Sequence, residues 1–201
     1  MSIKKKFCAL VACVVLSSCS GGSEPMLQPF ASGQVTSNLN IIRHDVIVPR
    51  SLTTTEANRL YPQVELIWRE DPPGDRYVQV QRLLSAALDE GLAVFDTGRQ
   101  AVLIMEVQEF HALTARARDS IGGTHAMTFR IQLRDAKNAD VIYGPVVVKA
   151  DLEAYGGAEA IAAENAGITQ KYRISKHVAA IIQRQLIQAG MGAVQGQNLG
   201  G

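Results

Sequence analysis

Residues 124–134 read THAMTFRIQLR and alternate between two kinds of side chain. The odd-numbered positions hold His125 and then four large apolar residues, Met127, Phe129, Ile131 and Leu133. The even-numbered positions are mainly threonine, arginine and glutamine. Because successive side chains of a strand point to opposite faces of a sheet, this stretch predicts a strand with one buried face and one solvated face.

The segments before and after this strand alternate in the same way. The apolar positions are Ala101, Leu103, Met105 and Val107 in the first segment and Ile142, Val146, Val148, Ala150 and Leu152 in the second. A slip of one residue would turn a strand inside out, so these positions predict a hairpin with Val107 beside Phe129. A second hairpin has its tight turn centred on Lys137 and Asn138. Pro145 has no N–H to donate, which predicts an edge position for the third strand.

The remaining elements complete an α+β pattern. Two short strands are predicted at 45–49 and 64–68, with a short capped helix starting at 53–56. Two long helices with an apolar stripe are predicted at 75–95 and 169–189, the first capped by Asp75 and the second ended by Gly190. We therefore predict a two-layer sandwich: a mostly antiparallel sheet of about five strands with two long helices on one face, in the order β-β-α-β-β-β-α.

The first twenty residues carry a targeting pattern. Lys4, Lys5 and Lys6 precede an apolar run at 7–16, which is too short to cross a bilayer and is typical of a secretory leader. The apolar run is followed by a cysteine in the sequence LSSC at 16–19. This sequence resembles the bacterial lipobox, and the resemblance implies lipid attachment at Cys19. An ordinary signal peptide and a buried N-terminal helix are the alternatives. Ser20, where an inner-membrane retention signal has Asp, favours the outer membrane.

These features predict four segments: a lipoprotein signal peptide at 1–18, a flexible tether at 19–40, one globular domain at 41–189 and a disordered tail at 190–201. Removal of the leader takes away Cys8, Cys13 and three lysines, so no thiol pair remains for a disulfide. Lysine plus arginine falls from 20 to 17 against 19 acidic residues. A slightly acidic chain lacks the clustered basic surface that nucleic-acid binding needs.

One constellation suggests metal chemistry. Glu109, His111 and His125 share the odd parity of the buried face, and the first hairpin register sets the two histidines opposite each other. Two imidazoles and a carboxylate could bind zinc, with Asp151 as a conceivable further ligand. The alternative is a hydrogen-bonded polar cluster at the end of the sheet, which we favour because no His-x₃-His or cysteine motif supports a metal. No cofactor is predicted.

A second candidate lies in the connection at 114–123, which is long for a hairpin. Its Arg116 and Arg118 could meet an anionic headgroup or an acidic partner. Exposed arginines that only aid solubility are the alternative. Gly122 and Gly123 are too few to cradle a phosphate and predict a backbone turn.

Four stretches carry a resemblance to a known group: VPRSLTTTEANRLYPQVELIWREDPPGDRYVQV, EFHALTARARDSIGGTHAMTFRIQLRD, ADLEAYGGAEA and GITQKYRISKH. They resemble an uncharacterised domain-of-unknown-function family of small proteobacterial lipoproteins. The order of elements is also similar to that of periplasmic auxiliary lipoproteins of lipid-transport ABC systems and of lipopolysaccharide assembly. Fold analogy is a weak guide to function.

The sequence thus predicts a non-enzymatic lipoprotein, anchored to the outer membrane through Cys19 with its domain in the periplasm. Its partner would be an envelope protein or a lipid-handling component in envelope maintenance or transport. The alternatives are a metal-dependent envelope enzyme using His111 and His125, and a structural lipoprotein.

Overall fold

The structure is a computed structural model that describes residues 34–195, with side chains at 38–192. The leader and Cys19 lie outside this range. The strands are β1 (Gln34–Ser37), β2 (Leu39–Ile47), β3 (Leu66–Ile67), β4 (Arg99–His111), β5 (Gly123–Asp135), β6 (Val141–Lys149), β7 (Leu152–Ala154) and β8 (Gly192–Gln195). The helices are α1 (Arg76–Leu92), α2 (Ala115–Arg118), α3 (Gly157–Asn165) and α4 (Gln170–Leu186), and α4 runs into a π-helical turn at Ile187–Met191.

The main sheet has six strands in the order β2-β4-β5-β6, with β3 beside β4 and β7 beside β5. The pairs of β4 with β5 and of β5 with β6 and β7 are antiparallel, whereas β2 and β3 run parallel to β4. The predicted α+β class with a mostly antiparallel sheet is confirmed. Strand β6 lies at the sheet edge, as Pro145 predicted.

The register of the first hairpin is the predicted one over most of its length. Val107 pairs with Phe129, Met105 with Ile131 and Leu103 with Leu133. All six side chains are buried. The second hairpin turns around Lys137 and Asn138 as predicted, and two irregularities in β6 then shift the pairing along the strand.

The two long helices start at the predicted positions, the first with the predicted Asp75 cap and the second with a cap at Thr169 that was not predicted. The Asp75 side chain accepts a hydrogen bond from the Val78 amide, and the Thr169 side chain accepts one from the Tyr172 amide. The helices pack closely at Gly91, where a Cβ atom would lie 2.6 Å from the Ala179 carbonyl oxygen. Their apolar faces form one core with the inner face of the sheet.

The predicted helix at 53–56 is absent, and the segment is extended instead. The Thr53 amide and hydroxyl both donate to the Glu65 carboxylate, and Thr54 forms a parallel bridge with Leu66. These contacts with β3 use the polar groups that would have capped a helix.

The ends of the described chain also differ from the sequence prediction. Part of the predicted tether forms β1 and the start of β2, and part of the predicted tail forms β8. Strands β1 and β8 pair antiparallel, so backbone hydrogen bonds join two segments that are far apart in sequence. No helix in residues 34–195 has the length and apolar character of a membrane span.

Candidate functional site

A bulge in β4 separates the residues of the candidate metal site. The register shifts by one between Val107 and Glu109, so that Phe110 takes the buried side of the strand. His111 pairs with Ala126 rather than facing His125, and it lies on the opposite face of the sheet. The prediction that the two histidines face each other is therefore wrong. Within residues 34–195 no three His, Cys, Asp or Glu side chains are grouped to hold a metal ion.

His125 lies in the protein interior, near His177 and Arg173 of α4. Neither ring nitrogen of His125 has a hydrogen-bond partner in the described chain. Burial, followed by the charge of Arg173 and the nearby His177, lowers the pKa of His125 to about 3. The ring is therefore neutral at ordinary pH, and it is a packing element rather than the hydrogen-bonded cluster that the sequence suggested.

His177 has a similar environment. Burial lowers its pKa, and its ring lies against the backbone of Ala150 and Asp151 without either ring nitrogen reaching hydrogen-bonding geometry. The Arg173 guanidinium stacks on the Tyr155 ring at 3.4 Å from its centre. Both imidazoles therefore lie buried beside the junction between β6 and β7, with ring nitrogens that no described residue hydrogen-bonds.

The predicted arginine loop is an ordered part of the fold. Its helix α2 is capped by Thr114, and Ala117 is buried with Leu113 and Ala154 in a small second core that Leu60 also contacts. Arg118 is held by ion pairs to Asp119 at 3.0 Å and to Glu164 of α3 at 2.9 Å. Of the two predicted partner-binding residues, only Arg116 keeps an unpaired guanidinium.

Of the glycines predicted to form a backbone turn, Gly122 follows the turn after α2 and Gly123 already begins β5, while Gly156 and Gly157 start α3. Gly122 has a positive φ of 69°. A Cβ atom on Gly156 would overlap the Gly122 nitrogen and the Ile121 carbonyl carbon. The close approach of the two backbones ties the loop after α2 to the start of α3.

A second arginine, Arg59, lies beside Arg116. The Thr114 hydroxyl donates to the Arg59 carbonyl oxygen at 2.8 Å, and the Arg116 amide donates to the Asn58 side-chain oxygen at 2.8 Å. Arg59 and Arg116 are exposed, and Tyr61, two residues after Arg59, is 73% exposed. We call Arg59, Tyr61 and Arg116 the distal surface, since it lies beyond the end of β4. Arg59 and Arg116 are more than fifty positions apart, and no sequence pattern indicates that they lie close together.

A buried arginine fixes the segment that carries Arg59 and Tyr61. Arg76, only 5% exposed, binds both carboxylate oxygens of Glu56 and donates to the Asp71 and Pro72 carbonyls. Arg69 also pairs with Glu56. These guanidinium contacts, the hydrogen bond from Arg76 first, lower the pKa of Glu56. The segment is thereby held against the first turn of α1.

An open groove of about 460 Å³ lies between α1 and α4. Its polar lining is mostly used internally: Asp71 accepts from Lys171 and from Trp68, and Gln79 donates to the Pro72 carbonyl. Arg82 is the one lining arginine, and its guanidinium is exposed. A ligand site usually offers several converging free polar groups, so the groove is the weaker candidate.

Comparison with known proteins places the chain in a family. A model of a family of unknown function, DUF6778, matches residues 39–200. The chain belongs to the DUF6778 family. The DUF6778 match begins at the first residue of β2 and covers all four helices. The crystal structure of a "putative lipoprotein" from Caulobacter crescentus CB15 covers 55% of this chain and 83% of its own length, at 25% identity and a TM-score of 0.32. No curated protein matches the chain significantly.

Proposed function

We propose that this DUF6778 protein is a lipid-anchored envelope lipoprotein whose domain is a non-catalytic binding module. Residues 1–18 are its signal peptide, and the mature chain is attached to the outer membrane through Cys19, with the domain facing the periplasm. The observation that carries the proposal is the LSSC sequence at 16–19 after a short basic and apolar leader. The distal surface then serves as the contact for an envelope partner.

The direction of the strands supports this division of roles. The start of β2, Leu39, pairs with the start of β4 at Arg99, and β4 ends at His111, just before the Arg116 loop. Twelve steps of about 3.3 Å separate the two ends of β4, or roughly 40 Å. The segment that leads to Cys19 therefore joins the domain at the pole opposite the distal surface.

The length of the tether supports the same orientation. Only residues 20–33 lie between Cys19 and β1. Fully extended, this segment and its flanking bonds reach about 50 Å. To bring the distal surface back to the anchoring membrane, the tether would have to run almost fully extended along the 40 Å domain. A partner at the distal surface is thus met away from that membrane.

Metabolic labelling with palmitate tests the anchor. Wild-type protein, expressed in a bacterial host, is expected to incorporate label, and Cys19→Ala is expected to incorporate none. Cys13→Ala is the matched control, because it removes a thiol from the leader and is expected to label like the wild type. Equal labelling of Cys19→Ala and wild type would contradict the proposed anchor.

A further inference from the structure

The distal surface has the features of a binding site for a protein. We propose that Arg59, Tyr61 and Arg116 bind an acidic segment of a partner protein, with its carboxylates received by the two guanidinium groups. This inference names the partner chemistry of the proposed function and rests on it. Planar guanidinium groups bind carboxylates with two parallel hydrogen bonds, which gives both affinity and orientation.

The first support is the contrast with the other arginines. Among the described residues, the exposed arginines elsewhere, other than Arg82, which lines the groove between α1 and α4, pair with the protein's own carboxylates, as Arg50 does with Asp75, Arg99 with Asp135 and Arg130 with Glu106. The guanidinium groups of Arg59 and Arg116 have no ion pair or hydrogen bond to any described residue. Two adjacent cations without internal carboxylates leave their charge available to an external anion.

The second support is that the backbone under the distal surface is fixed. Leu60 packs on the small core formed by Leu113, Ala117 and Ala154, and Pro62 is buried. The hydrogen bonds from Thr114 to Arg59 and from Arg116 to Asn58 hold the two segments together. A surface whose backbone is ordered before binding loses less conformational entropy when it binds.

The third support distinguishes a protein from a lipid surface. Recognition of anionic lipid takes clusters of about four to eight basic residues, whereas the distal surface has two. Arginine and tyrosine are the residues most often found at the energetic centres of protein interfaces. Ile121, in the same loop as Arg116, is 62% exposed and adds apolar area. These features favour a protein partner.

Fluorescence anisotropy with a fluorescein-labelled hexaglutamate peptide tests the proposal on the mature lipoprotein in neutral detergent. The double variant Arg59→Gln, Arg116→Gln is expected to bind the peptide at least about tenfold more weakly than the wild type, a loss of about 1.4 kcal/mol. The double variant Arg59→Lys, Arg116→Lys keeps both positive charges but loses the planar guanidinium groups. Its affinity for the peptide is expected to lie between that of the wild type and that of Arg59→Gln, Arg116→Gln. Arg43→Gln, Arg82→Gln removes the same charge elsewhere and is expected to bind like the wild type.

Three outcomes would overturn the proposal. Equal weakening in the two double Gln variants would show a general charge effect, and unchanged binding in Arg59→Gln, Arg116→Gln would show that the surface is not used. Binding of the wild type to phosphatidylglycerol vesicles but not to the peptide, lost in that variant, would assign the surface to lipid phosphate. Since the peptide binding is measured without a membrane, its result is independent of the palmitate labelling, so failure of the anchor and failure of the surface are separate results.

Discussion

At the scale of single residues, Gln108 decides which side chains of β4 reach the core. The bulge adds one residue to this strand, and the pairing resumes with Glu109 opposite Thr128. Such a bulge reverses the faces of all later positions. Phe110 enters the core and packs edge-on against Trp68 at 6.0 Å between ring centres, while His111 leaves it. A pattern with strict alternation therefore fails at the candidate cluster of Glu109, His111 and His125.

The neutral state of His125 makes stability depend on pH. Its folded pKa of about 3 lies below the ordinary value of 6.5, so the unfolded chain takes up a proton first as pH falls. The free energy of unfolding therefore decreases as pH falls from about 6.5 towards 3, and the His125 share at pH 5 is about 2 kcal/mol. The free energy of unfolding is measured in urea at pH 7 and at pH 5. Between these two pH values, His125→Leu is expected to lose about 2 kcal/mol less of it than the wild type loses.

Met127→Leu is the matched control, since it changes a buried neighbour on the same strand and removes no titrating group. It is expected to keep the wild-type dependence on pH. The lowered pKa of His177 leaves a residual decrease in both variants. If His125→Leu loses as much stability as the wild type between the two pH values, the ring of His125 is not held neutral.

At the scale of elements, the short helices and loops of the distal pole depend on backbone contacts more than on apolar burial. Helix α3 buries only Ala160 and exposes Ile161. It is held by the Arg118 to Glu164 ion pair and by the approach of Gly156 to Gly122. The two ion-pairing side chains are 28% and 36% exposed, and a pair so open to solvent contributes about 1 kcal/mol.

Gly156→Ala is expected to separate α3 from the loop after α2. The added Cβ would overlap backbone atoms that cannot rotate away, and such overpacking typically costs about 1–3 kcal/mol. The thermal midpoint should fall, and limited proteolysis should cut near residues 156–168 sooner. Gly167→Ala serves as control: it strains a φ of 77° but meets open space, and its effect should be smaller. Equal effects would mean that the close contact is unimportant.

Elements with repeated patterns were predictable from sequence, and those set by single contacts were not. The alternation in β5 specified its buried face, and Asp75 specified the start of α1. The signal TTTE at 53–56 failed because Glu65 competes for Thr53. The AEAIAAEN stretch of α3 has helical composition but little apolar periodicity, and the predicted order of elements contains no helix there. The distal surface depends on Arg59 and Arg116 meeting, which no local pattern encodes.

At the scale of the whole molecule, the chain enters the domain at one pole and presents its unpaired arginines at the other. Strands β1 and β8 lie at the start of β2, together with the π-helical turn after α4. The turn at Lys137 and Asn138 lies at this same pole, because Ala101 at the start of β4 pairs with Asp135. In the proposed orientation, the pole at the start of β2 lies near the anchoring membrane and the distal surface lies far from it.

Energy transfer to a membrane dye measures this orientation. The mature chain keeps Cys19, whose thiol is acylated in the proposal, so a single introduced cysteine can be labelled. A donor at Lys137→Cys is expected to be quenched more strongly by an acceptor lipid than a donor at Ile121→Cys, since these sites flank the two ends of β5 and lie about 40 Å apart along the strand. Both are exposed, so labelling should leave the fold intact. Equal quenching, or the reverse order, would contradict the proposed orientation.

The common direction of the strands also determines how the domain bears mechanical load. If the anchor pulls at the start of β2 and a partner pulls at Arg116, the tension runs along β2 and β4. It therefore acts across the hydrogen bonds that join β2 from Leu39 to Ile47 with β4. These bonds are loaded in shear, so they share the load and do not break one at a time. The β2–β4 hydrogen bonds would therefore resist tension along the line between the proposed anchor and the proposed partner.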